Sequence, residues 1–286
     1  MSTPTLSLII ATYNDNGSLT ELYQRLNGQP ADFEVIIVDQ NDDNRVAEMI
    51  AQQGDASFAC THLSASFKNA SRARNLGAEH ARGEWLMFPD DDCVIPAETL
   101  LHLQALVSEQ PNLELISGRT LSHDGNRSTL LWSSEAKDID RWNMFFCISE
   151  CTLIVRADVF AAVGGFDPAF GPGAEYPVAE GLELMTRLFE QRPLQARYEP
   201  DLIFYHDDKF PPWTPEAVAA MRQYGFGEAA LLAKHRRLNL WYWFSITMLA
   251  NVKNILSRDP HKRKAYWQRV IYSGKGFLHF LSKDIK

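Results

Sequence analysis

A chain of 286 residues with 45% apolar content can build one large α/β domain, alone or with a helical appendage, and is too apolar to stay disordered. Its net charge of −8, with no arginine-rich or lysine-rich stripe beside an aromatic platform, argues against nucleic acid as a partner. The four cysteines, Cys60, Cys93, Cys147 and Cys151, form no CxxC pair, and nothing ahead of the first strand reads as a signal peptide, so a cytoplasmic, reducing location with free thiols is expected.

The first half alternates continuous apolar runs with helical spacing. Strand-like 6–11 precedes helical 18–26, 34–39 precedes 44–52, 58–63 precedes 69–81, and 85–88 precedes 97–109. Such alternation predicts a largely parallel sheet covered on both faces. Ligands on these sheets bind beyond the carboxyl ends of the strands, which selects 12–15, 39–43 and 90–92. Past 113 the rhythm loosens, with strands predicted over 113–117, 128–132 and 149–155. The glycine- and proline-rich 163–177 (VGGFDPAFGPGAEYP) is expected to be a loop, and its length points to a functional lid. Helical spacing resumes over 180–190, a strand is expected over 202–205, and helices follow over 215–234, 240–257 and 262–281. The apolar run 238–250 is shorter than the roughly 20 residues that span a bilayer.

The sharpest chemical signal is Asp90-Asp91-Asp92, directly after Trp85-Leu86-Met87-Phe88. Adjacent carboxylates at the end of a buried strand repel one another, and a hard divalent cation gripping a phosphate relieves that; a solvated turn is the plainer reading. Asp39 ends the run Val35-Ile36-Ile37-Val38, where it can accept from a base N–H or cap the next helix. Thr12 and Tyr13 offer a hydroxyl and a stacking ring, or are ordinary turn residues. Lys68, Arg72 and Arg74 stand near a helix start, where dipole and side-chain charge both favour a diphosphate; a solvated helix face is the alternative.

Taken in order, Ser7-Leu8-Ile9-Ile10-Ala11-Thr12-Tyr13-Asn14, Val38-Asp39-Gln40-Asn41-Asp42-Asp43, Ala73-Arg74-Asn75-Leu76-Gly77-Ala78, Ala81-Arg82-Gly83-Glu84 and Phe88-Pro89-Asp90-Asp91-Asp92-Cys93 with Pro96 resemble the family 2 glycosyltransferases of the GT-A fold. Gly164-Gly165-Phe166-Asp167 and Glu180-Gly181-Leu182-Glu183-Leu184 with Arg187-Leu188 extend the likeness over residues 5–192. It implies an α/β fold with a Rossmann-like, mostly parallel mixed sheet flanked by helices. It also implies a catalytic domain over 1–212, with a nucleotide-binding half 1–110 and an acceptor half 111–212, followed by a helical extension 213–286. The implied activity is inverting transfer of a sugar from a nucleotide-sugar, usually a UDP-sugar, to a saccharide or lipid-linked acceptor hydroxyl, with Mg²⁺ or Mn²⁺ bound. Carried over by position, Thr12, Tyr13 and Asp39 hold the nucleoside, and Arg74 lies beside the nucleotide with Asn75 and Lys68. Asp90, Asp91 and Asp92 match the DxD element: Asp92 coordinates the metal, Asp90 or Asp91 contacts ribose and sugar, and Asp90 is the further candidate ligand.

The base departs from the family pattern, because many relatives carry Glu-Asp where this chain has Glu180-Gly181, and the Asp is their usual base. Glu180 and Glu183 remain, with Glu180 favoured at the helix start and Asp167 a third candidate, structural or acceptor-binding. His206, after Leu202-Ile203-Phe204-Tyr205 and beside Asp207 and Asp208, is either a metal ligand or a satisfied core histidine. Trp241, Phe244, Met248, Val252 and Ile255 recur at helical spacing between basic clusters, so 238–264 either lies on an anionic membrane face or packs on the domain or a second subunit. The other functional reading is a nucleotide-sugar-binding or scaffolding protein of this fold without turnover. A sugar nucleotidyltransferase would need a glycine-rich loop where Ala11-Thr12-Tyr13-Asn14-Asp15-Asn16 stands, and a glycoside hydrolase has no use for Asp39 and Arg74. Residues that choose donor and acceptor are expected in the irregular 113–176 region.

Overall fold

The computed structural model describes residues 4–122, 132–206 and 214–283. Its first half follows the predicted alternation: β1 (Leu6–Thr12), α1 (Ser18–Leu26), β2 (Phe33–Asp39), α2 (Arg45–Gln53), β3 (Ala59–Ser64), α3 (Ala70–His80), β4 (Trp85–Met87) and α4 (Ala97–Glu109). The second half runs β5 (Leu115–Leu121), β6 (Lys137–Asp138), β7 (Leu153–Arg156), α5 (Ala157–Ala162), α6 (Glu180–Gln191) and β8 (Ala196–Tyr205). Helices α7 (Pro215–His235), α8 (Leu238–Ile255) and α9 (Pro260–Lys283) close the chain.

The strands form one sheet in the order β3-β2-β1-β4-β7-β5-β8-β6. β1 is parallel to β2 and β4, β2 to β3, and β5 to β8, whereas β7 runs antiparallel between β4 and β5 and β6 antiparallel to β8. The result is the expected mixed, mostly parallel α/β sheet. Alternate residues feed opposite cores, as the two-residue period of a strand requires. Ile9, Ile36, Val38 and Leu86 face one core with Phe166, Phe170 and Leu184, while Leu8, Ile10, Val35 and Met87 face the other with Leu19, Leu22 and Leu103.

This register assembles the site. Thr12 pairs with Asp39 at the carboxyl ends of β1 and β2, and β4 leads into the acid triplet beside them. Val94 and Tyr205 exchange backbone hydrogen bonds of 2.8 and 2.9 Å, which draws the end of β8, and so His206, against the residues following the triplet.

Several local expectations change. The 149–155 segment begins as a 3₁₀ turn over Glu150–Thr152, because the Thr152 hydroxyl donates to the Ser149 carbonyl at 3.1 Å, and only then becomes β7. β8 is longer than 202–205; Pro200 masked its first half, which pairs with β5 across a register shift between Ser117 and Arg119. Of the strand expected over 128–132 only Trp132 is described, and Asp207 and Asp208 also lie outside the described residues. The 163–177 loop is a packed wall and not a free lid. Phe166, Phe170 and Tyr176 are buried in the core, and the loop is tied to α3 through Asn75 and through Ser71, whose hydroxyl donates to the Phe170 carbonyl at 2.6 Å.

At the C-terminus, α7 enters the main core through Ala230, Leu231 and Leu232. α9 lies against it at close range: a Cβ at Gly276 would come 2.1 Å from the Phe226 carbonyl, and one at Gly225 2.3 Å from that of Arg269. Arg269 binds both oxygens of Glu228 at 2.7 Å across the same seam. On α8 the buried positions are Asn239, Leu240, Trp243 and Asn251, with Trp243 stacked on Phe145 at 5.0 Å, so the expected stripe straddles the helix and Trp241 and Val252 face solvent. Among the described residues no helix is long and apolar enough to cross a membrane.

Gly276→Val is expected to destabilise the protein by about 1–3 kcal/mol through overpacking of the α7–α9 seam, read as a melting midpoint lowered by several degrees. Gly274→Ala, on the same helix but facing open space, should leave the midpoint unchanged or slightly raised.

Candidate active site

The rim at the carboxyl ends of β1 and β2 carries the groups expected at the nucleoside. Asp39 is buried; its Oδ1 accepts from the Asn41 backbone at 2.9 Å and from the Asn41 amide at 2.8 Å, and its Oδ2 lies 3.1 Å from His62 Nε2. Thr12 Oγ1 donates to Asp91 Oδ2 at 2.7 Å, so the β1 hydroxyl braces the middle acid of the triplet. Tyr13 is 47% exposed, with Lys68 Nζ 4.9 Å from its ring centroid. Lys68 is itself held by the Gln40 carbonyl and by Asp42. A planar ring with a cation beside it is a ready surface for a base or a phosphate.

The triplet divides into distinct environments. Burial is the main force raising the Asp91 carboxyl, to about 6, with Thr12 opposing and the Asp92 and Asp90 charges adding to the rise. Asp92 Oδ1 lies 3.2 Å and Asp90 Oδ2 3.6 Å from His206 Nε2. Burial resists protonation of His206, yet its bond to Asp92 and the negative groups around it push it up to about 9. Ligand atoms of Asp92, Cys93 and His206 fall within 4.8 Å of one another. The Cys93 thiol is raised well above its ordinary value by its bond to Cys151 and by burial. Asp92 and His206, with Asp90 beside the imidazole, offer carboxylate and imidazole donors that fit a divalent cation, the carboxylates favouring Mg²⁺ or Mn²⁺.

Arg74, expected beside the nucleotide, is held between two carboxylates. Only 4% exposed, it donates from Nη2 to Asp90 Oδ1 at 2.9 Å and from Nη1 to Glu180 Oε1 at 3.0 Å. Its guanidinium therefore sits beneath the rim as a fork between carboxylates. Asn75, also expected at the nucleotide, is used by the wall loop: its Nδ2 donates to the Phe166 carbonyl and its Oδ1 accepts from the Phe166 N–H, both at 2.8 Å.

The acids expected as bases separate by their partners. Glu180 opens α6 after Ala179, whose φ of 75° is left-handed for a residue with a side chain, a strain of about 1–3 kcal/mol that fixes how the helix enters the site. Glu180 is 5% exposed; burial foremost, then the Glu150 charge, raises its carboxyl against the pull of Arg74. Glu183 is fully buried, bound to Arg187 at 2.6 Å, to Lys234, and to His235 at 3.2 Å. A carboxylate so engaged is a structural anchor and a weak proton acceptor. Asp167 is bound to Lys234 at 2.5 Å and accepts from the Ala169 backbone at 2.8 Å, which gives it a part in holding the loop. Glu150, which sequence reasoning did not single out, joins this cluster by accepting from the Gly181 backbone at 3.1 Å. The signal that could have found it is the glycine in the first turn of α6.

The sequence model "Glycosyl transferase family 2" matches residues 7–160. An uncharacterized glycosyltransferase of Haemophilus influenzae is 35% identical over 114 residues, which are 39% of this chain and 37% of that protein. Poly(ribitol-phosphate) beta-N-acetylglucosaminyltransferase TarS of Staphylococcus aureus is 28% identical over 107 residues, 36% of this chain and 19% of TarS, so the match spans well under half of either relative. The TarS 1–349 structure with UDP-GlcNAc superposes with a TM-score of 0.62 at 19% identity, covering 96% of this chain and 89% of that one. The mannosyltransferase PcManGT of Pyrobaculum calidifontis, with GDP-Man and Mn²⁺, gives 0.61 at 13% identity over 97% of this chain and 88% of its own. Both share the GT-A fold.

Glu183 supplies a test of its structural role. Burial works to raise it, but the bonds from His235, Arg187 and Lys234 prevail and hold it at about 2. A folded-state value below the unfolded one contributes stability above the unfolded value, near 4.3, that is lost as pH falls through the folded one. Glu183→Gln is therefore expected to cost about 3 kcal/mol in urea unfolding at pH 7, with the gap to wild type closing between about pH 5 and pH 2.

Proposed function

Because the chain belongs to glycosyl transferase family 2, we propose that it moves a sugar from a nucleotide-sugar, a UDP-sugar, to an acceptor hydroxyl, inverting the anomeric carbon, with Mg²⁺ or Mn²⁺ on the donor diphosphate. The observation that carries this reading is the single rim on which Thr12, Asp39, Asp91, Asp92 and His206 meet, at the carboxyl ends of the central strands. The nucleotide-sugars held by TarS and PcManGT support the donor class, and the Mn²⁺ of the latter supports the ion.

In this reading Asp39 accepts from the base N–H, Tyr13 stacks on the ring, and Thr12 keeps Asp91 turned toward the ribose. Asp92, Asp90 and His206 hold the ion, which supplies Lewis-acid stabilisation of the charge left on the diphosphate. Arg74 fixes Asp90 from below, so one ligand is oriented before donor arrives. The division into a catalytic domain over 1–212, with nucleotide half 1–110 and acceptor half 111–212, and an extension over 213–286 belongs to the same proposal.

An acceptor carried on a lipid suits α8. Leu238 and Leu249 on this helix and Leu256 just past its end are 74%, 72% and 80% exposed, and Lys253, Arg258, Lys262, Arg263 and Lys264 cluster at its far end on a chain of net charge −8. That pairing of apolar face and cations fits an anionic bilayer surface. Binding without turnover is favoured by one observation, Gly181 in place of an acid, and the assays below separate it.

UDP-sugars should raise the melting midpoint more with Mn²⁺ than without; donor at about a hundred times its Kd contributes about 2.7 kcal/mol. Asp92→Asn should remove the metal-dependent part and Asp39→Asn the nucleotide-dependent part, whereas a wild type showing no metal-dependent shift with any UDP-sugar would count against the proposal. Sedimentation with vesicles tests the surface: binding to phosphatidylglycerol-containing vesicles should fall several-fold in Leu249→Asp/Leu256→Asp and vanish at high salt.

A further inference from the structure

Gly181 is the second residue of α6, a helical position where glycine costs about 1 kcal/mol relative to alanine and where the backbone calls for no positive φ. The side chain packed against that position is Glu150. A Cβ at 181 would lie 2.8, 2.9 and 3.0 Å from Oε1, Cγ and Cδ of Glu150. The Glu150 carboxyl thus occupies the space into which a side chain on the first turn of α6 would project. It is fixed there by the Gly181 N–H, one of the unpaired donors at the positive end of a helix.

The other acids of the cluster are bound by cations: Glu180 by Arg74, Glu183 by Arg187 and Lys234, Asp167 by Lys234. Glu150 makes no ion pair among the described residues and is half-buried, where Glu180 and Glu183 are buried. Part of its surface therefore remains in contact with solvent. Arg74 reaches from Asp90, at the metal end, to Glu180, whose helix carries the Glu150 contact, so the cluster separates a leaving-group end from a proton-accepting end.

We propose that Glu150 is the general base of the transfer, its carboxylate standing in for an acidic side chain that α6 lacks at Gly181. The proposal rests on the glycosyltransferase reading. As the acceptor hydroxyl oxygen bonds to the anomeric carbon, its proton passes to the Glu150 carboxylate. The bond from that carbon to the diphosphate oxygen breaks, and its electron pair stays on the departing nucleoside diphosphate. Glu150 returns the proton to water once the products leave, and a water molecule in place of the acceptor gives donor hydrolysis by the same route.

The test measures donor turnover, by transfer or hydrolysis, and donor binding by calorimetry on the full chain, using the UDP-sugar that gives the largest thermal shift with Mn²⁺. Glu150→Gln should lower kcat by about 10²–10⁴-fold, leave donor Kd and the melting midpoint near wild type, and remove the acidic limb of the pH–rate profile. Glu150→Ala/Gly181→Asp, which returns a carboxylate to the same space from the helix, should turn over at least tenfold faster than Glu150→Ala and restores the test should Glu150→Gln fold poorly. Retention of turnover within threefold of wild type in Glu150→Gln, or a loss carried by donor KM alone, would overturn the assignment while leaving the transferase reading intact. A wild type that binds UDP-sugars and turns over none would overturn both.

Discussion

Arg74 is a buried cation with a carboxylate on either arm, and most of the site is arranged around satisfying it. A guanidinium nearly shut off from water is tolerated only when paired and hydrogen-bonded, and removing one partner from such a pair costs about 3–5 kcal/mol. Burial works against its charge, while Asp90, Glu180 and Glu150 together hold it firmly protonated. That obligation ties the end of β4 to the start of α6 through a residue of α3. The same helix clasps the wall loop through Ser71 and Asn75, so α3 is the part on which the acid triplet, the loop and α6 take their relative positions.

The charges on this frame are graded by environment. Asp91, half-buried, is lifted toward neutrality by desolvation and by its neighbours' charges, whereas Glu183, fully buried, is driven strongly acidic because cations meet it from α6 and α7. Desolvation prevails at Asp91, and the hydrogen-bonded cations prevail over it at Glu183. An acidic protein can thus gather carboxylates at one edge of its sheet by setting cations among them. The cations lie underneath, holding the carboxylates in place.

The β-α rhythm was legible because both faces of the central strands are buried, which leaves unbroken apolar runs that periodicity detects. Asp39, Thr12 and the triplet were legible because they directly follow such runs, and a parallel sheet brings those ends to one edge. Arg74 was found, but its surroundings were not: a helix-start arginine reads as exposed until β4 and α6 close over it. The lid expectation failed for a related reason, since glycine and proline report backbone conformation and are silent on whether Phe166, Phe170 and Tyr176 between them are buried. Glu150 was hidden by its sequence neighbours Ser149 and Cys151, and shows its meaning only against Gly181, which lies 31 residues away.

The C-terminal helices bear on the site through α7. Lys234 reaches both Asp167 in the wall loop and Glu183 on α6, and His235 reaches Glu183 as well. Without α7, Glu183 would keep Arg187 but lose its other cationic partners, and Asp167 would lose the lysine that holds it. The loop would then hang from α3 through Ser71 and Asn75, from Arg187 of α6, which donates to the Val163 and Gly165 carbonyls, and from α9, where His279 and Lys283 meet Glu175. The change from sheet to helix near 213 is bridged by side chains, because Lys234 of α7 meets both Asp167 in the wall loop and Glu183 on α6. A further consequence is that contacts made by α8 or α9 with a surface have a mechanical route to the loop: α9 is pressed against α7 at Gly225 and Gly276, and α7 grips the loop through Lys234.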